Sequence, residues 1–272
     1  MTKTRLKVLE YWFSGNKNNV SFRELFNFFF DKSYASKAKS KIKEINVADE
    51  FYLVYFKEIT RPLYYPRNFS LKSLEQVIVE SFYPQNWHYY EIPQTRVTEK
   101  DVVVDCGAAE GLFSFLVVER CEKLYLVEPL PGFRKSIERT FEKDENTIIL
   151  PVALSDKESV MRMLEHDISS SLSDRNDGIE VRVTTLDKLF YENGQKISYI
   201  KMDLEGYDYN ALVGAKNLIK ENKPKIAVTT YHNPKHADEI AAYLKALVPQ
   251  YNILTKGIYQ GSGSPIMLHA WV

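Results

Sequence analysis

The 272-residue sequence contains only two cysteines, Cys106 and Cys121. Two thiols cannot build a framework of bridges, so both are expected to be reduced, in a cytoplasmic protein. The first residues lack an apolar run long enough for a signal peptide. No stretch of about 18 apolar residues occurs anywhere, so no membrane span is expected. Glycine and proline number 11 each, too few for a fibrous or disordered chain. Charge of one sign is also missing, because 36 Lys and Arg balance 36 Asp and Glu. That balance argues against a nucleic-acid coat or a polybasic membrane binder, although it leaves room for a local basic patch. There is no internal repeat and no low-complexity tract. Aromatic residues are what the chain has in plenty: 13%, with 18 Tyr and 15 Phe. Most of these suit a core, and aromatic walls also suit sugars and adenine rings.

The text changes character near residue 100. Before it, the pattern is helical and aromatic. Helices are predicted over residues 4–13, 20–31 and 71–82, the second with a capping box of Ser21 and Glu24. The lysine-rich residues 37–44 read as a solvated helix face or loop, residues 51–56 as a short strand, and residues 62–66 as a loop. Residues 1–86 are therefore expected to form a mainly helical region, and residues 87–272 a second domain. In that second part short apolar runs alternate with amphipathic stretches. Strands are predicted at 102–104, 124–127, 148–154, 180–183, 199–202 and 225–230. Helices are predicted at 111–120, 132–143, 207–222 and 235–247. Alternation of this kind implies βαβ units and a buried parallel sheet. Two closing strands, 251–255 and 266–272, have no helix between them and form a hairpin, so the last strand should run antiparallel.

Ligands of such sheets bind at the carboxyl ends of the strands. The first strand runs into Asp105-Cys106-Gly107-Ala108-Ala109-Glu110-Gly111. Gly107 permits a tight turn, and Ala108 and Gly111 let backbone approach a ligand and let helix pack on strand. The second strand ends at Glu128, about 20 residues past the turn, where an acid can hold two ribose hydroxyls. A dinucleotide site needs G-x-G-x-x-G, with the pyrophosphate on the helix N-terminus. Here the middle glycine is absent, and Asp105 and Glu110 would repel a pyrophosphate. Carboxylates suit an ammonium or a sulfonium, which favours S-adenosylmethionine over NAD(P).

The sequence resembles the FkbM family of S-adenosylmethionine-dependent methyltransferases. The resemblance lies in VVVDCGAAEGLFS at 102–114, LYLVEP at 124–129, LPVALSD at 150–156, TTLDKL at 184–189 and IKMDLEGYDYNALVGA at 200–215. It covers roughly residues 87–232, and Trp87-His-Tyr-Tyr-Glu91 also looks family-like; residues 1–80 match nothing. It implies a Rossmann-like class I methyltransferase fold and methyl transfer to an oxygen, on a sugar, glycan or natural product. Carried over by motif, Asp105, Gly107, Ala108 and Gly111 would line the methionine part of the cofactor. Glu128 would bind the ribose, and Ala153 to Asp156 would border the adenine. Cys106 and Ala109 are expected to be variable, and Ser169 to Ser171 form either a loop near the site or a plain surface loop.

Lys201, Asp203 and Glu205 alternate, which places them on one face of a strand. A central strand should not carry three charges unless they pair or serve a site. The plain alternative is a buried salt bridge of Lys201 with one acid. The next strand ends at His232, beside Asp203 in the expected sheet order. A neutral imidazole can take the proton of a hydroxyl nucleophile, so His232 is the candidate general base, with Asp203 orienting it or the acceptor; Glu205, at the same strand end, is a further catalytic candidate. Mg²⁺ on Asp203 and Asn233, with Glu205 nearby, is the competing mechanism and ranks second, because no Asp-Asp or His-rich cluster demands a metal. His166, His236 and His269 are expected to be surface or core residues, and Cys106 a structural thiol.

Two other classes remain as rivals: an NAD(P)-dependent oxidoreductase, and a non-catalytic module with a degenerate methyltransferase fold. The intact acids argue against decay. A small-molecule or saccharide acceptor is expected, and nucleic acid is not. Tyr64, Tyr65, Trp87, Tyr89 and Tyr90 would contact that acceptor or bury themselves in a homodimer.

Overall fold

The computed structural model describes residues 3–164, 171–173 and 178–272. His166, Ser169 and Ser170 lie outside the described residues. In chain order the elements are α1 (Lys3–Phe13), α2 (Phe22–Phe30), α3 (Tyr34–Lys41), β1 (Ile42–Ala48), β2 (Phe51–Phe56), β3 (Leu63–Pro66) and α4 (Leu71–Phe82). There follow β4 (Val102–Cys106), α5 (Leu112–Val117), β5 (Lys123–Val127), α6 (Pro131–Thr140), β6 (Thr147–Leu150), β7 (Ala153–Leu154), β8 (Ser159–Leu164), β9 (Ser171–Ser173) and β10 (Ile179–Thr184). The chain closes with β11 (Tyr199–Met202), α7 (Asp208–Val213), α8 (Lys216–Asn222), β12 (Lys225–Thr229), α9 (His236–Leu247), β13 (Asn252–Lys256) and β14 (Met267–Trp271).

A seven-stranded sheet in the order β13-β14-β12-β11-β4-β5-β6 forms the centre. β12, β11, β4, β5 and β6 run parallel, and β14 enters antiparallel between β12 and β13. This is the α/β, Rossmann-like arrangement of class I methyltransferases, mostly parallel with an antiparallel last strand. The parallel strands are continuous apolar runs because helices cover both faces; Tyr199, Ile200 and Met202 are fully buried.

Four expectations change at the level of elements. Of residues 62–66, expected as a loop, Leu63–Pro66 form an edge strand, β3. An edge tolerates Pro66 because a missing N–H there costs no ladder bond. Residues 148–154 are two strands: Pro151 ends β6, and Val152 N–H turns back to the Leu150 carbonyl at 2.9 Å. β7 then joins a second, four-stranded sheet, β7-β10-β8-β9, of which β10 alone is legible in the sequence. The helix over 207–222 breaks at Gly214 into α7 and α8. The lysine-rich stretch divides into the end of α3 and the start of β1.

The N-terminal region is built of α1–α4 and also carries the three-stranded antiparallel sheet β1-β2-β3. Its apolar side chains Val54, Phe56, Leu63, Leu74 and Ile78 share one buried cluster with Leu112, Phe115 and Leu124 of the central domain. Helix α2 starts with the expected capping box, in which the Ser21 side chain accepts from Glu24 N–H and the Glu24 side chain accepts from Ser21 N–H. No helix among the described residues is long and apolar enough to cross a membrane.

Candidate active site

A cavity of about 510 Å³ opens over the carboxyl ends of the parallel strands. Its floor comes from the turn after β4, Glu128 after β5, Val152 to Leu154 around β7, Asp203 to Glu205 after β11, and His232 after β12. Helix α4 of the N-terminal region closes one side with Gln76 and Glu80, and Met163 of β8 closes another.

The glycine turn is shaped by close packing. Gly107 has φ +74°, and a Cβ there would lie 2.2 Å from the Asp203 carbonyl oxygen. Only glycine lets the β4 turn and the end of β11 approach this closely. Gly107 and Ala108 donate their N–H groups to the Val127 carbonyl at 3.0 and 3.2 Å, which fixes the turn against β5. Ala109, in the left-handed region at φ +47°, donates its N–H to Glu128 Oε2 at 2.9 Å, and Leu130 N–H reaches Oε1 at 2.8 Å. Burial pushes both the Glu128 and the Glu110 carboxyls up to about 7.

The expected cofactor residues divide by position. Gly107, Ala108, Glu128 and Ala153 line the cavity, while Asp105, Gly111 and Asp156 do not. Asp105 is fully buried beneath the turn: Oδ2 accepts from Ser114 Oγ at 2.7 Å, and Oδ1 lies 2.9 Å from Lys201 Nζ. The sheet register sets Lys201 directly beside Asp105. The plain reading of Lys201 is therefore the one found, a buried ion pair, although its partner is not a β11 acid. Lys201 also donates to the Gly107 carbonyl at 2.6 Å, so the pair braces the turn from below. Gly111 acts through packing, since a Cβ would come within 2.8 Å of Ile137 on α6. Asp156 is exposed, and its Oδ1 accepts from Ser155 Oγ at 3.0 Å.

Asp203, Glu205 and His232 do converge. His232 Nε2 lies 3.1 Å from Glu205 Oε2 and 3.9 Å from Asp203 Oδ1, and Nδ1 lies 3.7 Å from Asp208 Oδ2. Burial alone would lower the imidazole pKa; Asp208, Glu205 and Asp203 outweigh it and raise the pKa to about 10. The expected neutral imidazole is therefore not the resting form. In the unliganded protein His232 is an imidazolium at neutral pH, and it must shed a proton before it can accept one. Asp203 is held by a hydrogen bond from Tyr90 Oη at 2.8 Å to Oδ2 and one from Thr229 Oγ1 at 3.0 Å to Oδ1. Burial would raise its pKa, but the charges of His88, His232 and Lys201 and the Tyr90 hydroxyl hold it below the usual range.

Several site residues escaped the sequence reading. Asp208 is fully buried, and its carboxylate accepts from the N–H groups of Leu204 and Gly206 at 3.0 and 3.2 Å. It thereby shapes the loop in which Glu205 adopts φ +51°. His88 packs edge-on against Tyr90 and places Nε2 3.8 Å from Asp203 Oδ2. Tyr231 leans on the His232 ring at 4.1 Å and on Tyr259 at 5.0 Å. Glu80 is buried, with Oε1 accepting from Gln76 Nε2 at 2.9 Å. The Trp87-to-Glu91 segment, in which Tyr90 is already a candidate acceptor contact, is the available signal for His88. Nothing comparable marked Glu80, because an acid on one helix face carries no chemical signature of its own.

Among the other candidates, Asn233 Oδ1 accepts from Lys235 N–H at 3.0 Å, outside the cavity lining. His236 is buried, with its pKa lowered by that burial. His269 is buried in β14, where desolvation lowers its pKa to about 4. Cys106 is buried and its thiol pKa is pushed up by desolvation. None of these three lines the cavity.

The methyltransferase FkbM domain model matches residues 105–251, which is more than half of the chain. The chain belongs to the FkbM methyltransferase family. The FkbM methyltransferase from Methylobacillus flagellatus has a similar structure, at 17% identity over 92% of this chain and 60% of that one, with a TM-score of 0.51. The chain thus spans 60% of that protein's length, and at this identity the likeness shows the fold. An rRNA methylase from Streptococcus thermophilus aligns at 13% identity over 64% of this chain and 88% of its own, with a TM-score of 0.42. A Streptococcus mutans protein in complex with SAH aligns at 10% identity over 64% of this chain and 90% of its own, also with a TM-score of 0.42. No curated protein matches the sequence.

Proposed function

We propose that this FkbM-family chain transfers the methyl group of S-adenosylmethionine to a hydroxyl oxygen of a small-molecule or saccharide acceptor. The observation that carries this reading is the single cavity that joins the Gly107 turn and Glu128 at one end to Asp203, Glu205 and His232 at the other. Glu110 and Glu128 both line it; their carboxyls, pushed up to about 7 by burial, ionise readily beside the ammonium of S-adenosylmethionine and can accept from its ribose hydroxyls, whereas a pyrophosphate opposes that ionisation. That opposition disfavours an NAD(P)-dependent oxidoreductase. The convergence of the second set disfavours a non-catalytic module.

In this reading Glu128 meets the ribose and Val152 to Leu154 border the adenine. The acceptor oxygen is held in line with the methyl carbon and the sulfur. The new O–C bond forms as the C–S bond breaks, the electron pair stays on sulfur, and the hydroxyl proton leaves to a base. His232 is that base once its own proton has gone, and Asp203 orients it. Tyr231 and Tyr259 offer ring faces to a sugar.

The deciding experiment is calorimetric titration with S-adenosylhomocysteine and with NAD, on wild type and Glu128→Ala. The expected outcome is binding of S-adenosylhomocysteine, weakened at least tenfold by the substitution, with no NAD binding. Binding of NAD alone would overturn the reading. With an acceptor in hand, full turnover by His232→Ala would remove His232 as the base.

A second reading has its own observation. One ligand atom from each of Asp203, Glu205 and His232 lies within 4.8 Å of the others, a set able to hold a divalent cation. His232, rather than Asn233, completes this set. A cation there would displace the imidazole proton and lower the pKa of an acceptor hydroxyl. Activity abolished by chelation and restored by Mg²⁺ or Mn²⁺ would select this reading, and chelator-insensitive turnover would discard it.

A further inference from the structure

Helix α2 is apolar on both sides. One side is core: Leu25 is buried, and Phe28 stacks on Trp87 at 4.7 Å. A surface helix ordinarily keeps its other side polar. Here that side presents Phe22, Phe26 and Phe30, one turn apart and 64%, 55% and 69% exposed. The rings of Phe26 and Phe30 lie 4.7 Å apart. Phe22 lies 6.1 Å from Trp12, which meets the 71% exposed Phe13 edge-on at 5.2 Å. The result is a stripe of aromatic rings across α1 and α2, of a kind that monomeric surfaces seldom leave open.

Charge indicates what covers it. Residues 1–41 hold nine Lys and Arg against three Asp and Glu, a net +6 within a chain of net charge zero. Two of those three acids are already matched, Glu24 by Lys256 and Asp31 by Lys37. Lys7, Lys17, Arg23 and Lys32 are exposed on the same elements and their connections, Lys39 is exposed on the following helix α3, and Lys17 Nζ lies 4.7 Å from the Trp12 ring. A second copy seated on the stripe would bring +6 against +6. An anionic bilayer accepts both features: phenyl rings enter the headgroup–acyl boundary while lysine and arginine stems reach back to the phosphates.

We propose that the exposed face of α1 and α2 docks on an anionic phospholipid surface. The same unit touches the cavity's surroundings. Tyr11 Oη donates to the Gly261 carbonyl at 3.4 Å, and Asn18 Nδ2 to that of Gly263 at 2.8 Å. Both lie in the loop that brings Tyr259 to the cavity wall. Docking would therefore hold the acceptor end of the cavity by a short, hydrogen-bonded connection to the membrane-bound face. The proposal stands apart from methyl transfer and does not require it.

The test is co-sedimentation of the full chain with vesicles of phosphatidylcholine containing phosphatidylglycerol, and with vesicles of phosphatidylcholine alone, over a range of salt. Binding to the anionic vesicles only, falling with salt, is the expected result. The triple variant Phe22→Ser, Phe26→Ser, Phe30→Ser should bind at least tenfold more weakly, and Arg23→Ala and Lys17→Ala should each lose about fivefold. All these side chains are exposed, so unchanged melting and unchanged S-adenosylhomocysteine titration serve as fold controls. Several results would overturn the proposal: no binding to anionic vesicles, or equal binding by the triple variant. So would a wild-type dimer that the triple variant dissolves, or binding to an oligonucleotide without binding to vesicles.

Discussion

His232 shows how little a residue's type says about its state. Its reference pKa is near 6.5, and burial among carboxylates carries it to about 10. The sign of the linkage follows. A group whose folded pKa exceeds its unfolded one adds stability that is fully present below the unfolded value and lost as pH rises through the folded one. The His232 contribution should therefore be complete below about pH 6.5 and fade between there and about pH 10. Denaturant titrations of wild type and His232→Asn across pH 6–10 should converge as pH rises, because wild type alone loses this term. Parallel curves would show that His232 is neutral in the folded protein. The same reasoning separates what was visible at this scale from what was not. Residue types at strand ends singled out Gly107, Glu128, Asp203 and His232 for one cavity. The proton on His232 was invisible, because it depends on Asp208, a residue whose role is to cap a loop.

Gly214 makes the corresponding case for an element. The sequence reads as one continuous helix over 207–222, and alanine inside a helix ordinarily stabilises it by about 1 kcal/mol over glycine. Here a Cβ would lie 2.2 Å from the Ser155 carbonyl oxygen. The Gly214 carbonyl accepts from Asp187 N–H at 2.9 Å, and the Asp187 carboxylate caps α8 through Asn217 and Leu218 N–H at 3.0 and 2.8 Å. Gly214→Ala should invert the usual sign and destabilise by about 2 kcal/mol, as overpacking does, measured by urea unfolding; a stabilised variant would mean that the break is soft. The central strands and most helices were legible because period and burial agree there. The β3 edge, the split at Pro151 and the small second sheet were not. β7 finds its partner far along the chain, with Ala153 beside Val183 of β10, and a two-to-six-residue strand carries too few side chains to show a period.

At the scale of the whole molecule, the boundary near residue 86 that composition suggests has no matching gap in the core. Phe56 of β2 is buried and sits 4.9 Å from Phe82 of α4 and 6.1 Å from Phe115 of α5. One aromatic contact thus joins the N-terminal sheet to the helix that follows the glycine turn. The cavity depends on the same junction, since α4 brings Glu80 and Gln76 to its wall. If the two regions were independent, Phe56→Ala would melt the N-terminal region early and leave the nucleotide end of the sheet able to bind S-adenosylhomocysteine. A shared core predicts otherwise. Removing a buried phenyl ring costs about 3–5 kcal/mol, and that loss should lower one cooperative transition, with far-ultraviolet ellipticity and tryptophan emission moving together. Two separated transitions in the variant would make residues 1–86 a domain of their own. A single displaced one would mean that the α4 wall of the cavity and the Gly107 turn can form only together.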